Sequence, residues 1–269
     1  MSATEPEPAP SPPAEPAIET RGLTRRFGDF VAVDSIDLTV PRGSFFGFLG
    51  PNGAGKSTTI KCLTGLLRPS GGSVRILGRD LAADAVEIKR RVGVVPEDLG
   101  LFGRLTGGEN LAFVARVHGL DAATFRARAE ELLELLGLAG DAGVLAADYS
   151  HGMRKKLALA MALIAAPRLL FLDEPFEGID AISSRWMKQL LSDFTRRGGT
   201  VFLTSHVLEI VERLADRVAI IHRGRLVAQG PTAELRSAGG RTASLEELFL
   251  ETVGAERAGG AGRLEWLGG

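Results

Sequence analysis

The chain has 269 residues, enough to bury one substantial core, and its 45% hydrophobic and 24% charged residues are those of an ordinary globular protein. A formal net charge of −1 excludes a general electrostatic footprint for nucleic acid or anionic lipid, and no stretch reaches the roughly 18 uninterrupted apolar residues of a membrane span. The single cysteine, Cys62, has no partner for an internal disulfide, which fits a reducing cytoplasm; on a helix it reads as a small buried residue.

Residues 1–17 are acidic and proline-rich, lack the apolar segment of a signal peptide, and read as a disordered tail. From Ile18 short apolar runs alternate with helical segments. Val31–Val40 and Ser44–Leu49 predict strands separated by the Pro41-Arg42-Gly43 turn, Lys56–Leu67 a helix, and Val74–Leu77 and Val92–Val95 further strands. Between about 98 and 167 the strand signal vanishes. Glu109–His118, Asp121–Leu136 and Gly152–Ala166 predict helices, the second with Asp121 as N-cap and an apolar face of Phe125, Ala129, Leu132, Leu133 and Leu136. Leu169–Leu172, Val201–Thr204 and Val218–Ile221 then return to near-continuous apolar runs, the form of strands covered on both faces. The alternation predicts an α/β core with a mostly parallel sheet, interrupted by a helical subdomain. One amphipathic piece, Ser244–Thr252, precedes a Gly/Ala-rich tail, so the division is a tail over 1–17, a domain over 18–240, and a C-terminal segment over 241–269.

The segment Gly50-Pro51-Asn52-Gly53-Ala54-Gly55-Lys56-Ser57-Thr58 matches G-x-x-x-x-G-K-[ST] in full, after a strand and opening a helix. Its glycines let backbone N–H groups converge on phosphate oxygens, and the helix N-terminus adds partial positive charge. Lys56 can reach the β- and γ-phosphates of a nucleotide, and the Ser57 hydroxyl can ligate Mg²⁺. The strand Leu169–Leu172 ends in Asp173-Glu174-Pro175: Asp173 is placed to bind Mg²⁺ directly or through water, and Glu174, offset by one residue, to polarise an attacking water.

Over about Ile18 to Gly230 these residues resemble the nucleotide-binding domain of ABC ATPases. Tyr149-Ser150-His151-Gly152-Met153 looks like that family's Leu-Ser-Gly-Gly-Gln signature, with His151 and Met153 as departures. The resemblance implies a P-loop NTPase core with an N-terminal antiparallel β part, MgATP as the ligand, and a second ATPase subunit whose ATP is gripped by Ser150 and the backbone at Gly152. It also implies that Phe27 stacks on adenine and that Glu97 stands where a metal-sensing glutamine is usual. Asp180, in Gly178-Ile179-Asp180, would lie across the dimer interface, and His206 would hold Glu174 and water in line. Leu99–Thr106 resembles a region that docks an integral membrane permease, and Ser244–Leu250 the C-terminal end of exporter ATPases, although that segment reads equally as a helix packed on its own domain. The expected protein is an ATPase powering transport through a separate permease on the inner face of the membrane. The alternatives are an ABC ATPase acting on ribosomes or DNA, against which stand the single cassette and the lack of a long heptad run, and a degenerate cassette that binds ATP but turns over poorly.

Overall fold

The computed structural model describes residues 15–237 and 244–254. The acidic stretch up to residue 14, positions 238–243 and the tail beyond 254 lie outside the described residues. Ala17, expected in the tail, is fully buried: its N–H donates to Val40 O and its carbonyl accepts from Leu77 N–H, both at 2.8 Å. The pairing of this edge outweighs its local proline content, so the fold begins before Ile18.

The N-terminal half contains β1 (Ile18–Phe27), β2 (Phe30–Ile36), β3 (Thr39–Val40), β4 (Phe45–Leu49), α1 (Lys56–Leu63), β5 (Gly71–Ile76), β6 (Arg79–Asp80), α2 (Ala85–Lys89) and β7 (Val92–Val95). An antiparallel sheet runs β2-β1-β5-β6, with β3 also paired to β1. The single strand predicted over Val31–Val40 is split in two: β2 ends at Ile36, exposed Asp37 accepts the Gly22 N–H at 2.6 Å, and β3 begins at Thr39. Helix α1 stops at Leu63 rather than Leu67. There the Thr64 hydroxyl donates back to Ile60 O at 2.8 Å and Gly65 takes φ 70°.

The helical insertion comprises α3 (Gly107–Val117), α4 (Ala122–Leu135) and α5 (His151–Leu163). Each N-terminus is capped by a side chain. Thr106 and Glu109 form a reciprocal capping box, Asp121 accepts from Ala123 and Thr124, and Ser150 accepts from Met153 N–H at 3.2 Å. On α4, Ala129 and Leu133 are buried, while Phe125 and Leu132 pack at the margin of the core. Fully buried Asn110 bonds the carbonyls of Phe102, Leu105 and Thr106 and so pins the loop before α3.

The C-terminal half supplies β8 (Leu169–Asp173), α6 (Ala181–Arg196), β9 (Thr200–Ser205), α7 (Leu208–Leu214), β10 (Arg217–His222), β11 (Arg225–Pro231), α8 (Thr232–Ser237) and α9 (Leu245–Gly254). The second sheet has the order β11-β10-β4-β9-β8-β7, parallel throughout except for β11 against β10. Both its faces are covered, which is why its strands read as continuous apolar runs. Phe46, Phe48, Phe171 and Phe202 point to the face shared with α1 and the antiparallel sheet; Phe45, Leu49, Leu170, Leu172, Val201 and Leu203 point to the helical face. Phe202 lies centrally, with ring centroids 5.7 Å from Phe46, 5.3 Å from Phe48 and 5.7 Å from Phe171. Burying such a ring stabilises the fold by about 1.5–3 kcal/mol. Leu245 of α9 is also fully buried and α9 packs on α7 and α8, so this segment is seated on its own domain.

Leu49 is paired with Ser205, and Asp173 with Thr204. The C-terminal ends of β4, β9 and β8 therefore finish at one edge of the sheet, and the loops that follow them are neighbours.

The approach of α5 to β7 depends on a glycine. A Cβ at Gly93 would collide with the Ala162 carbonyl oxygen and stand 2.7 Å from Leu170 Cδ2. Gly93→Ala is expected to cost about 1–3 kcal/mol of stability, read as a lowered urea midpoint with an unchanged slope. An unchanged midpoint would mean the helix and strand separate more easily than this packing implies.

Candidate nucleotide site

The loop from Gly50 to Gly55 leaves β4 and enters α1 with Gly53 at φ 79° and Gly55 at φ 109°. A Cβ on Gly55 would lie 2.5 Å from the Ala32 carbonyl oxygen, and one on Gly50 would lie 2.5 Å from Ile221 O. Ala54 is buried and its carbonyl accepts the Gly224 N–H at 2.9 Å. The loop is thus braced from behind by β2 and the β10–β11 turn. Its front opens on a cleft of about 380 Å³ lined by residues 51–53 and 55–58, together with Phe30, Ala32, Glu97 and Glu174.

Lys56 is buried. Its Nζ donates to Gly50 O at 2.8 Å and Pro51 O at 3.4 Å, and stands 3.3 Å from Glu174 Oε1. Glu174 is 7% exposed, in the left-handed region at φ 49°. Its N–H donates to Thr204 Oγ1 at 3.1 Å, while Oε2 accepts from the His206 N–H at 3.2 Å and faces His206 Nδ1 at 3.0 Å. Oε1 has the ion pair with Lys56 but no hydrogen-bond partner of good geometry, an arrangement that leaves a buried acceptor open. Asp173, also buried, accepts from Thr204 Oγ1 at 2.5 Å and lies one residue behind the cleft lining. Among the described residues no three His, Cys, Asp or Glu side chains are close enough to hold a metal by themselves.

The remaining residues singled out from the sequence lie apart from this cleft. Phe27, at the end of β1, is 45% exposed with the Arg25 guanidinium 4.5 Å from its ring centroid, which leaves one ring face for a ligand. The aromatic residue that lines the cleft is Phe30. Ser150 is committed to capping α5, and Asp180 to capping α6 through Ser183 N–H at 2.9 Å and Ser183 Oγ at 2.6 Å. These Ser183 bonds hold the Asp180 carboxyl below its ordinary range. Ser150, Gly152 and Asp180 form a second cluster: a Cβ on Gly152 would lie 3.6 Å from Asp180 Oδ2, and one on Gly178 would lie 3.2 Å from the His151 ring.

One residue of the site was missed. Lys155 on α5 is 4% exposed, and its Nζ donates to Glu174 O at 2.8 Å and to Glu177 O. Burial pushes its ammonium down from the ordinary lysine range, while the Glu177, Glu174 and Glu97 carboxylates push it back up. Its position on the stripe continued by Ala158, Leu159 and Ala162 was the available signal, since a lysine on an apolar stripe must find oxygen partners.

A glycine-rich loop entering a helix, an acidic strand end and a histidine held on that acid stand at one sheet edge. A family model described as ABC transporter matches residues 33–177, more than half of the chain. The chain belongs to the ABC transporter family. It is 43% identical over 82% of its length to a daunorubicin/doxorubicin resistance ATP-binding protein of Streptomyces peucetius, covering 67% of that protein. It is 42% identical over 83% of its length to a fluoroquinolones export ATP-binding protein of Mycobacterium tuberculosis, covering 74% of it. A solved ATP-binding subunit of an ABC transporter superposes with a TM-score of 0.83 at 32% identity, over 88% of this chain and 99% of that one. As a member of this ABC family the chain is an ATP-binding, ATP-hydrolysing subunit. Among the described residues no helix is long and apolar enough to cross a membrane.

Gly55→Ala is expected to abolish nucleotide binding, because the φ of 109° and the Ala32 carbonyl both oppose a side chain. Isothermal titration with ATP tests this; an affinity within about twofold of the parent would show that the cradle tolerates a Cβ.

Proposed function

We propose that this ABC ATPase hydrolyses MgATP in a head-to-tail pair of cassettes and drives export of drug-like molecules through a separate membrane permease. The observation that carries the chemistry is the meeting of Lys56, Glu174 and His206 at the ends of three neighbouring parallel strands.

The residues present fit a nucleotide and its metal. The backbone cradle excludes side chains where phosphate must approach; Ser57 and Glu97 line the cleft with the hard oxygens that Mg²⁺ prefers, and the Asp173 carboxylate stands one residue behind it at the end of β8. Among the described residues no cluster of three His, Cys, Asp or Glu ligands exists, so Ser57, Asp173 and Glu97 would hold Mg²⁺ only together with phosphate oxygens, whose charge it would neutralise. Lys56 turns from Gly50 O and Glu174 toward the β- and γ-phosphates. Glu174 Oε1, buried and without a hydrogen-bond partner of its own, accepts a proton from the water that attacks the γ-phosphorus in line. His206, bonded to Oε2, fixes the carboxylate's orientation so that Oε1 faces the water. Phe27 offers its free face to the adenine, and Phe30 walls the cleft beside it.

Ser150, Gly152 and Asp180 are in a cluster separate from the chain's own phosphate loop, so a role in gripping ATP falls to the loop of the opposite subunit. The N-terminus of α5, capped by Ser150, presents its free N–H groups and dipole for that purpose. Glu174→Gln should retain ATP, lose at least about 10²-fold in turnover, and accumulate as an ATP-dependent dimer on gel filtration. A mutant that stays monomeric at saturating MgATP would refute the paired arrangement.

The permease reading rests on a groove of about 410 Å³ between the end of α1, β7, α3 and α5. Its lining is largely apolar, including Val94, Pro96, Leu99, Val114 and Met161, and exposed Leu66 stands at its edge. Phe102 and Phe113, both exposed, stack edge-to-face at 4.7 Å on the same helical insertion. Export of drugs is supported by the activities named for the relatives from Streptomyces and Mycobacterium. Leu66→Asp is expected to release the subunit from isolated membranes while leaving its circular dichroism unchanged; full retention would move the docking surface elsewhere.

A further inference from the structure

We infer that Lys155 is a positioning residue for hydrolysis: its ammonium ties the helix that carries Ser150 and Gly152 to the loop that presents Glu174. The inference rests on the reading of Glu174 as general base and adds a residue to it. Three observations carry it. Lys155 is 4% exposed and donates to two backbone carbonyls, Glu174 O and Glu177 O. Glu174 sits at φ 49°, a conformation that side-chain-bearing residues hold only when their surroundings over-determine it. On the other side of the same peptide run, Thr204 bonds the Glu174 N–H. The Glu174 residue is thus clamped by Thr204 at its nitrogen and by Lys155 at its carbonyl, with its side chain free to be set by Lys56 and His206.

A buried lysine with only carbonyl partners is a poor choice for stability alone, since an apolar residue of the same length would avoid its desolvation. What it supplies is direction. It fixes both carbonyls of a tight turn relative to α5, and the same turn runs on to Gly178, against which the His151 ring of α5 packs. Segment 174–178 therefore follows α5 as a unit. A shift of that helix moves the Glu174 carboxylate relative to the phosphate loop, which is anchored on β4 instead.

The test uses the full-length chain with Lys155→Met, Lys155→Arg and Glu174→Gln, each measured for ATPase kcat and KM, for ATP affinity and for thermal midpoint. Lys155→Met is expected to lower kcat by about tenfold or more with ATP affinity within about twofold. Lys155→Arg, which can still donate to both carbonyls, is expected to recover most of kcat. A kcat for Lys155→Met within about twofold of the parent overturns the inference. If Lys155→Met does not fold, Lys155→Arg decides: parental KM with kcat at least half restored supports positioning, and kcat lost in step with ATP affinity overturns it. The underlying reading is tested separately, because a Glu174→Gln protein with undiminished turnover removes the general base itself. Abolished turnover there, with Lys155→Met unaffected, removes only the role of Lys155.

Discussion

Glu174 is a carboxylate taken almost wholly out of water, and that burial sets the terms for everything around it. Stripping an ionised carboxyl of its hydration costs several kcal/mol unless charge and hydrogen bonds replace the lost water. Lys56 supplies the charge at 3.3 Å, and the His206 N–H and ring nitrogen supply partners for the other oxygen. Each comes from a different element: the start of α1 and the end of β9, while the carboxylate itself follows β8. The parallel register that aligns the ends of β4, β9 and β8 is therefore a precondition of the site. Lys56 is also the side chain that a bound phosphate would claim. On the proposed mechanism, nucleotide and Glu174 compete for one ammonium, and arrival of the phosphate loosens the ion pair just when Glu174 is required as a base.

Glu97, the departure at the cleft, and Lys155 belong to the same electrostatic setting. Glu97 lines the cleft where the family resemblance leads one to expect a neutral amide, so it adds negative charge near Glu174 and Glu177. The buried Lys155 ammonium is the cation within reach of all three, and each of the carboxylates stabilises its charged form. Seen this way, Glu97 is less anomalous than it looked in the sequence. The extra anion is offset by a cation whose hydrogen bonds are already committed to the backbone.

The core was legible because its physics is local. A strand covered on both faces must be apolar at nearly every position, and β4, β8 and β9 are buried throughout, so the runs at Ser44–Leu49, Leu169–Leu172 and Val201–Thr204 could be read directly. The phosphate loop was legible for a similar reason: glycine spacing, lysine and helix start form one short motif. What escaped depends on distant partners. No local pattern announces that the strand will break after Ile36, where Asp37 instead accepts the N–H of distant Gly22. Phe27 and Phe30 are both aromatic, close in sequence and exposed; only the path of the β1–β2 hairpin decides that Phe30 borders the cleft and Phe27 carries Arg25. Lys155 stands in a basic run, Arg154-Lys155-Lys156, where its neighbours give no sign that it alone is buried. Its burial was visible only as a conflict with the apolar stripe around it.

On the proposed pairing of cassettes, that conflict bears on how two separate clusters of one chain can act together. Ser150 caps α5 at the surface, and Lys155 lies five residues further along the same helix, about 7.5 Å along its axis at 1.5 Å per residue. A helix of this length is stiff, with its N-terminal turn fixed by the cap and its second turn fixed by two carbonyls. Whatever the exposed N-terminus of α5 contacts is thereby mechanically linked to the peptide of Glu174 within little more than one helical turn. Independent placement of the two clusters would require a flexible joint between them. The structure instead closes the interval with a buried ammonium and a histidine ring resting on Gly178. A cation in that position resists relaxation, because any displacement leaves either a charge or two carbonyls unpaired inside the protein. An apolar side chain there would fill the same space without holding the loop to the helix, which is why the physical sense of Lys155 lies in transmission rather than in stability.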